Sequence, residues 1–191
     1  MRDGVKAFVQ HIANLHPPGP ILEVGSLWAP QQEHYADMRP LFPGYTYTGC
    51  DQSAGPGVDV IGNIHSLSFA NESFGTVLCL DTIEHVSHPE VAMGELYRVL
   101  KPNGLLIITT HMWFPVHFRD DFWRFTPQCV QEVLFERVQS KMVIIQGDSN
   151  FPHNIIGIGS KGREIPVKIS CEEATKILPC PYPWNYYLWK K

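Results

Sequence analysis

The stretch TVLCLDTIEHVSHPEVAMGELYRVLKPNGLLIITT, residues 76–110, decides the fold. It opens on Thr76 to Leu80, an apolar run without polar alternation, which is the pattern of a parallel strand covered on both faces. Ser87 and Glu90 fit an S-x-x-E capping box, with Pro89 in the first helical turn where it is tolerated. Val91, Met93, Leu96, Val99 and Leu100 then supply a broad apolar helix face. KPNG ends that helix with turn residues, and LLIITT is the next buried strand. Strand, helix, strand in this order is the repeating unit of a parallel α/β sheet.

The same alternation extends in both directions. Val5, Phe8, Val9, Ile12 and Leu15 recur at helical spacing, and HPPGP breaks that helix. ILEV is a short buried strand, YTYTGC a second one ending at Asp51, and VDVIG a third after the loop SAGPG. Beyond residue 110, Thr126-Pro127 reads as an N-cap and first helical residue. Val130, Val133, Leu134 and Val138 continue a helical stripe, and MVIIQ and NIIGIGS are two closing strands. The pattern predicts a doubly wound, Rossmann-like, mostly parallel seven-stranded sheet with helices on both faces, in a single domain over residues 1–165. Residues 166–191, rich in proline and aromatics, form a tail that packs on the domain or on a partner, a homodimer contact being the alternative. CEEATKIL within it reads as a helix.

Composition narrows the function classes. With 191 residues, 44% hydrophobic and 18% charged, the chain suits one globular domain. The net charge of −4, without a run of Lys or Arg, disfavours nucleic acid as a partner. Five cysteines without a CxxC pair imply a reducing compartment, and Cys50 and Cys79 read as small core residues. No stretch approaches the length of a membrane span, and the N-terminus lacks a signal-peptide core, so a cytoplasmic location is expected.

In a doubly wound sheet, ligands bind beyond the carboxyl ends of the strands. The residues just after each apolar run are Glu23, Gly25 and Ser26; Asp51; Asn63 and Ile64; Asp81 to His85; and His111 to Trp113. Gly25 lets the backbone approach a ligand closely. A pyrophosphate would require further glycines, where this chain has Leu27, Trp28, Ala29 and Pro30, so NAD and FAD are disfavoured and a nucleoside without phosphates fits better. Asp51 can accept from both hydroxyls of a ribose, or is a turn aspartate. Asn63 can pair with an adenine edge, or is a loop asparagine.

These segments resemble a known family. ILEVGS, YTGCD, DVIGNIHSLSF, ESFGTVLCLDTIEHV and ELYRVLKPNGLLIITT are similar, in order and spacing, to the motifs of class I S-adenosylmethionine-dependent methyltransferases, and most closely to the methyltransferase type 11 group. RVLKPNG before an apolar strand is the most diagnostic piece, and DDFWRFTP resembles a segment of some members. The resemblance covers roughly residues 20–137. It implies S-adenosyl-L-methionine as cofactor, with S-adenosyl-L-homocysteine as product, and transfer of a methyl group to a small-molecule or glycan acceptor. A catalytically weak module acting as a binding partner is the alternative. The resemblance places Glu23, Gly25 and Ser26 at the methionine side, Asp51 and Gln52 at the ribose, Asn63, Ile64 and His65 at the adenine, and Leu80 and Asp81 at the amino group. The first loop departs from the usual E/D-x-G-x-G-x-G, since Leu27 and Ala29 stand where relatives carry glycine.

Methyl transfer from a sulfonium needs positioning above all, and a base only where the nucleophile must lose a proton. Asp81, His85 and His111 are the candidates for that base, although a histidine there can instead cap or pack. HMWFPVHFRDDFWRFTP is expected to shape the acceptor pocket through Trp113, His117, Trp123 and Arg124, unless its aromatics pack into the core. A metal would draw on His111, His117 and His153 with Asp120 and Asp121, but no H-E-x-x-H or cysteine-rich spacing supports one, and none is expected.

Overall fold

The computed structural model describes residues 3–28, 36–117, 119–147, 152–162, 164–165 and 186–188. Among the described residues, eight strands form one sheet in the order β3-β2-β1-β4-β5-β7-β6-β8. They are β1 (Ile21–Val24), β2 (Tyr47–Asp51), β3 (Val60–Ile61), β4 (Phe74–Leu80), β5 (Leu100–His111), β6 (Ser140–Gly147), β7 (Pro152–Ser160) and β8 (Tyr186–Leu188). Strands β1 to β5 run parallel, and β7 lies antiparallel to both β5 and β6. The seven predicted strands are all present. The eighth comes from the tail and pairs antiparallel with β6, opposite Ile144 to Gln146. CEEATKIL, Cys171 and Cys180 lie outside the described residues.

The two sheet faces carry separate cores because side chains alternate along each strand. Helix α1 (Asp3–Asn14) places Val5, Phe8, Val9 and Ile12 against Ile21, Leu78, Leu80, Leu105 and Ile107. Helix α2 (Pro89–Val99) places Ala92, Met93, Leu96 and Val99 against Leu22, Val24, Val77, Cys79, Leu106 and Ile108. Each fully buried Leu or Ile here contributes about 1.5–3 kcal/mol of transfer free energy. Among the described residues no helix is long and apolar enough to cross a membrane.

Three local expectations are corrected. The N-cap of α2 is His88 rather than Ser87, and no side chain caps it, so the capping box does not form. Pro89 occupies the first turn and supplies no N–H, which leaves one fewer donor for a cap to satisfy. Val91 points outward at 44% exposure, and Val133 does so at 60%, so both stripes are narrower than the spacing suggests. KPNG is not a free turn. It lies inside β5, where pairing jumps from Phe74↔Leu100 to Thr76↔Leu105 and the intervening residues bulge out.

The strand order reverses between β1 and β4. This switch point opens a crevice at the carboxyl edge of the sheet, and most of the predicted site residues sit at that edge.

Candidate active site

The first rim of the crevice is one hydrogen-bonded ribbon. The N–H groups of Gly25 and Ser26 both donate to the Cys50 carbonyl, at 2.8 and 3.2 Å. Leu27 N–H donates to Asp51 Oδ2 at 3.2 Å, and Ser53 N–H donates to Oδ1 at 3.0 Å. Gly62 N–H donates to the Asp51 carbonyl at 2.8 Å, which brings Asn63 alongside. The Asn63 side-chain oxygen accepts from His65 N–H at 2.9 Å, while Ile64 packs on the core. Gln52 is exposed. Glu23, Gly25, Ser26, Asp51, Asn63, Ile64 and His65 are therefore brought together as the sequence predicts, with Asp51 half-buried and its carboxylate on the lip of the glycine loop.

Two buried polar atoms on this rim, Ser26 Oγ and His65 Nε2, have no hydrogen-bond partner. Unpaired buried groups cost about 1–3 kcal/mol each, so this rim is poised for a polar ligand. A carboxylate with spare lone pairs, a hydroxyl, a ring nitrogen and an amide suit a nucleoside that carries no phosphate. These residues fit an adenosyl group.

Gly25 is required by its own surroundings: its φ of +83° suits glycine, and a Cβ there would meet Thr82 Oγ1 at 2.1 Å. The Thr82 hydroxyl donates to the Leu80 carbonyl at 2.8 Å, which fixes the side chain against which the Gly25 loop packs. Below it, Glu23 is buried and accepts from the Tyr47 hydroxyl at 2.7 Å. Burial pushes the Glu23 carboxyl up to about 7, only partly countered by that hydrogen bond.

The second rim is built by the ends of β4 and β5. Asp81 has a left-handed φ of +45°, which an aspartate tolerates at some cost. Its N–H donates to the Thr109 carbonyl at 3.1 Å, and the Thr109 hydroxyl donates to its Oδ1 at 2.7 Å. A 3-10 turn, Ile83–His85, follows. Asp81 just before this turn and Glu84 within it lie close together, with one carboxylate oxygen of each within 4.8 Å of the other. Glu84 is 0% exposed and His111, the last residue of β5, is 3% exposed. Glu84 Oε1 lies 2.7 Å from His111 Nε2, yet makes no directed hydrogen bond. Its Oε2 accepts from the Thr110 hydroxyl at 3.0 Å.

Residues 112–117 and 119–125 cover this rim. The Glu84 carbonyl accepts from the N–H groups of Phe122 and Trp123 at 2.9 and 3.2 Å. The His117 ring stands 5.0 Å from those of His85 and Phe114 and 6.0 Å from that of His111. His85 Nδ1 donates to the Asp120 carbonyl at 2.9 Å. Trp113 is 56% exposed, and the Trp123 indole N–H donates to the Val86 carbonyl at 2.9 Å. Phe125 is buried, as one of the two readings of this segment had it.

Arg124 is not free to meet an acceptor. Its Nε donates to the Phe114 carbonyl, Nη1 to Asp121 Oδ1 and the Trp123 carbonyl, and Nη2 to the Pro115 carbonyl and Asp121 Oδ2. That uses all five guanidinium N–H groups, so Arg124 organises the loop instead of reading a substrate. Its fork holds the Asp121 carboxyl well below the usual carboxylate range. His117 Nδ1 also lies 3.0 Å from Asp121 Oδ2. Of the histidine and aspartate set weighed for a metal, His111 and His117 come together, while Asp120 is exposed and His153 sits on β7.

Glu84 is the residue the sequence reading passed over. It lies within the Asp81 to His85 segment at the strand end, where the spacing singles out Asp81 and His85 as candidates for the base. The available signal was its position three residues after Asp81.

Residues 22–108 match the family model described as "Methyltransferase domain". No curated protein matches the sequence significantly. Among solved structures, an S-adenosylmethionine-dependent methyltransferase from Thermotoga maritima is similar at 20% identity, covering 82% of this chain and 92% of its own, with a TM-score of 0.57. The 1,6-didemethyltoxoflavin-N1-methyltransferase of Burkholderia thailandensis, solved with its substrate and S-adenosylhomocysteine, is 14% identical over 84% of this chain and 80% of its own, with a TM-score of 0.59. A methyltransferase from Methanosarcina mazei is 16% identical over 75% and 92%, with a TM-score of 0.53. At these identities the likeness is one of fold, and it agrees with the strand order found here. Residues 22–108 are thus similar to the methyltransferase family model, and the chain shares the fold of these S-adenosylmethionine-dependent methyltransferase structures.

Proposed function

We propose that the chain transfers a methyl group from S-adenosyl-L-methionine to a small-molecule or glycan acceptor held beneath residues 112–125. One observation carries this reading. The Asp51 carboxylate lies on the lip of the Gly25 loop, and across the switch point stands the cluster Asp81, Glu84 and His111. The cofactor supplies a methyl group already activated on a sulfonium. The chain then has three tasks. Asp51, with Gln52 beside it, grips the ribose diol. Asn63, Ile64 and His65 hold the adenine, while Glu23, Gly25, Ser26, Leu80 and Asp81 surround the amino-acid end. His111, paired with Glu84, and Asp81 receive the acceptor's proton, and His85 and His117 flank the approach.

The covering segment suggests the acceptor's character. Trp113, Phe114, Val116, Phe122 and Trp123 are exposed around the histidines, which suits a flat or amphipathic molecule with a polar reacting atom. A second reading, a weak or inactive module, draws on the first loop. A Cβ at Gly55 would meet Leu27 Cδ1 at 2.4 Å, and one at Gly57 would meet Trp28 Nε1 at 2.4 Å, so Leu27 and Trp28 press on the turn beside Asp51. Calorimetry with S-adenosylhomocysteine and with NADH, followed by an S-adenosylhomocysteine-release assay over acceptor panels, tests both. Saturable binding of the first ligand with turnover supports the enzyme. Binding without turnover on any acceptor favours the module. Binding of NADH alone contradicts both.

A further inference from the structure

We propose that Asp81, Glu84 and His111 bind one divalent first-row transition-metal cation, of the Mn2+ or Zn2+ kind, on the acceptor side of the crevice. One ligand atom from each of these three residues lies within 4.8 Å of the others. Glu84 is fully buried, and its Oε1 is unpartnered by any directed hydrogen bond while it faces His111 Nε2 at 2.7 Å. A carboxylate removed from water needs a charge or donors to compensate it. The Arg124 guanidinium is already spent on Asp121 and three carbonyls, which leaves Glu84 with the His111 imidazole and the Thr110 hydroxyl beside it.

The surroundings of the cluster have the form of a metal site. One oxygen of each carboxylate is fixed by a threonine hydroxyl on β5, Thr109 to Asp81 Oδ1 at 2.7 Å and Thr110 to Glu84 Oε2 at 3.0 Å. Such outer contacts orient metal ligands and tune their affinity. Two carboxylate oxygens and one imidazole nitrogen suit a borderline cation better than a soft one. Three protein ligands leave coordination positions open for water or an acceptor. The spacing in sequence, i, i+3 and a distant histidine, matches no familiar motif, which is why sequence alone points to no metal.

The role of the ion rests on the methyltransferase reading. It would hold an acceptor hydroxyl and lower its pKa, and with His111 and Asp81 occupied as ligands the proton would leave to solvent rather than to them. The oxygen then attacks the methyl carbon while the carbon–sulfur electron pair passes to sulfur. Binding itself is independent of that reading, and it is tested without any S-adenosyl compound.

Metal-free protein is titrated with Co2+ and followed by visible absorption, then competed with Zn2+ and Mn2+. The expected result is one ion per chain, with affinity falling at least about 10-fold in Glu84→Gln and in Asp81→Asn. His117→Ala retains wild-type affinity. If Glu84→Gln loses its fold by circular dichroism, the half-buried Asp81→Asn decides. No saturable one-to-one binding, or wild-type affinity in Asp81→Asn, overturns the proposal. Calorimetry with S-adenosylhomocysteine on the same samples separates the two ideas. Cofactor binding without ion binding removes only the metal site, and ion binding without cofactor binding removes only the transferase reading.

Discussion

Replacing Glu23 by glutamine probes the floor of the crevice. Glu23 is buried on β1 beside Tyr47, and burial carries its carboxyl from the ordinary 4.5 to about 7. A difference of that size corresponds to about 3.4 kcal/mol between the two protonation states. The sign follows from the direction. The fold prefers the protonated acid, so this contribution is fully present below about pH 4.5 and is lost as pH rises through about 7. Glutamine mimics the protonated acid and cannot ionise, so Glu23→Gln does not suffer the loss. Urea denaturation of both proteins between pH 4.5 and pH 8 reads the effect directly. The stability difference between them is expected to move by about 3 kcal/mol in favour of the variant as pH rises, most of it before pH 7. Titrations shared with the rest of the chain cancel in that difference. Two stability curves that run parallel across this range refute the assignment of Glu23 as a desolvated acid.

Gly25→Ala forces a Cβ onto Thr82 Oγ1 at a positive φ, so it should cost about 2–4 kcal/mol and weaken cofactor binding. Adding Thr82→Ala should recover part of the loss in thermal melts, whereas strictly additive effects would contradict the loop contact. Asp51→Ala removes a half-buried lip residue and should leave the melting temperature nearly unchanged while weakening S-adenosylhomocysteine at least about 10-fold by calorimetry, as expected for lost charge-assisted hydrogen bonds. Asp121→Asn breaks the fork with Arg124, and proteolysis within residues 112–125 should accelerate. Because Arg124 holds the Asp121 carboxyl low, its contribution is present above its ordinary value of 3.8 and is lost as pH falls below it, so the Asp121–Arg124 fork itself should persist from pH 5 to 8. Thr126→Ala removes the hydroxyl that accepts from Cys129 N–H at 3.0 Å and should cost about 1 kcal/mol in denaturant titration.

The strands were legible because burial on both faces writes a continuous apolar run, as in Thr76 to Leu80. Helix limits were less so. The capping box at Ser87 competes with Pro89, whose fixed φ starts the helix after His88 without a side-chain cap. The bulge at KPNG hid a strand behind turn residues, because Gly104 and the left-handed Asn103 serve a kink inside β5 as well as they would serve a loop. Strand β8 has three residues in a segment dominated by proline and aromatics, too short for any period to show. In the crevice, strand-end polar residues were legible one by one, but their partners were not. Glu84 turns inward on a 3-10 turn that begins two residues after Asp81, and Arg124 turns away from the site because Asp121 lies three residues earlier. Both outcomes depend on local geometry that residue identity leaves open.

The central claim is that the carboxylate after β2 and the lone glycine loop together seat an adenosyl group. A crystal structure of the chain grown with S-adenosylhomocysteine tests it most directly. The account predicts the nucleoside in the switch-point crevice, with both ribose hydroxyls on the Asp51 carboxylate and the sulfur facing Asp81. A nucleoside bound elsewhere, or one whose ribose hydroxyls meet no part of Asp51, contradicts it.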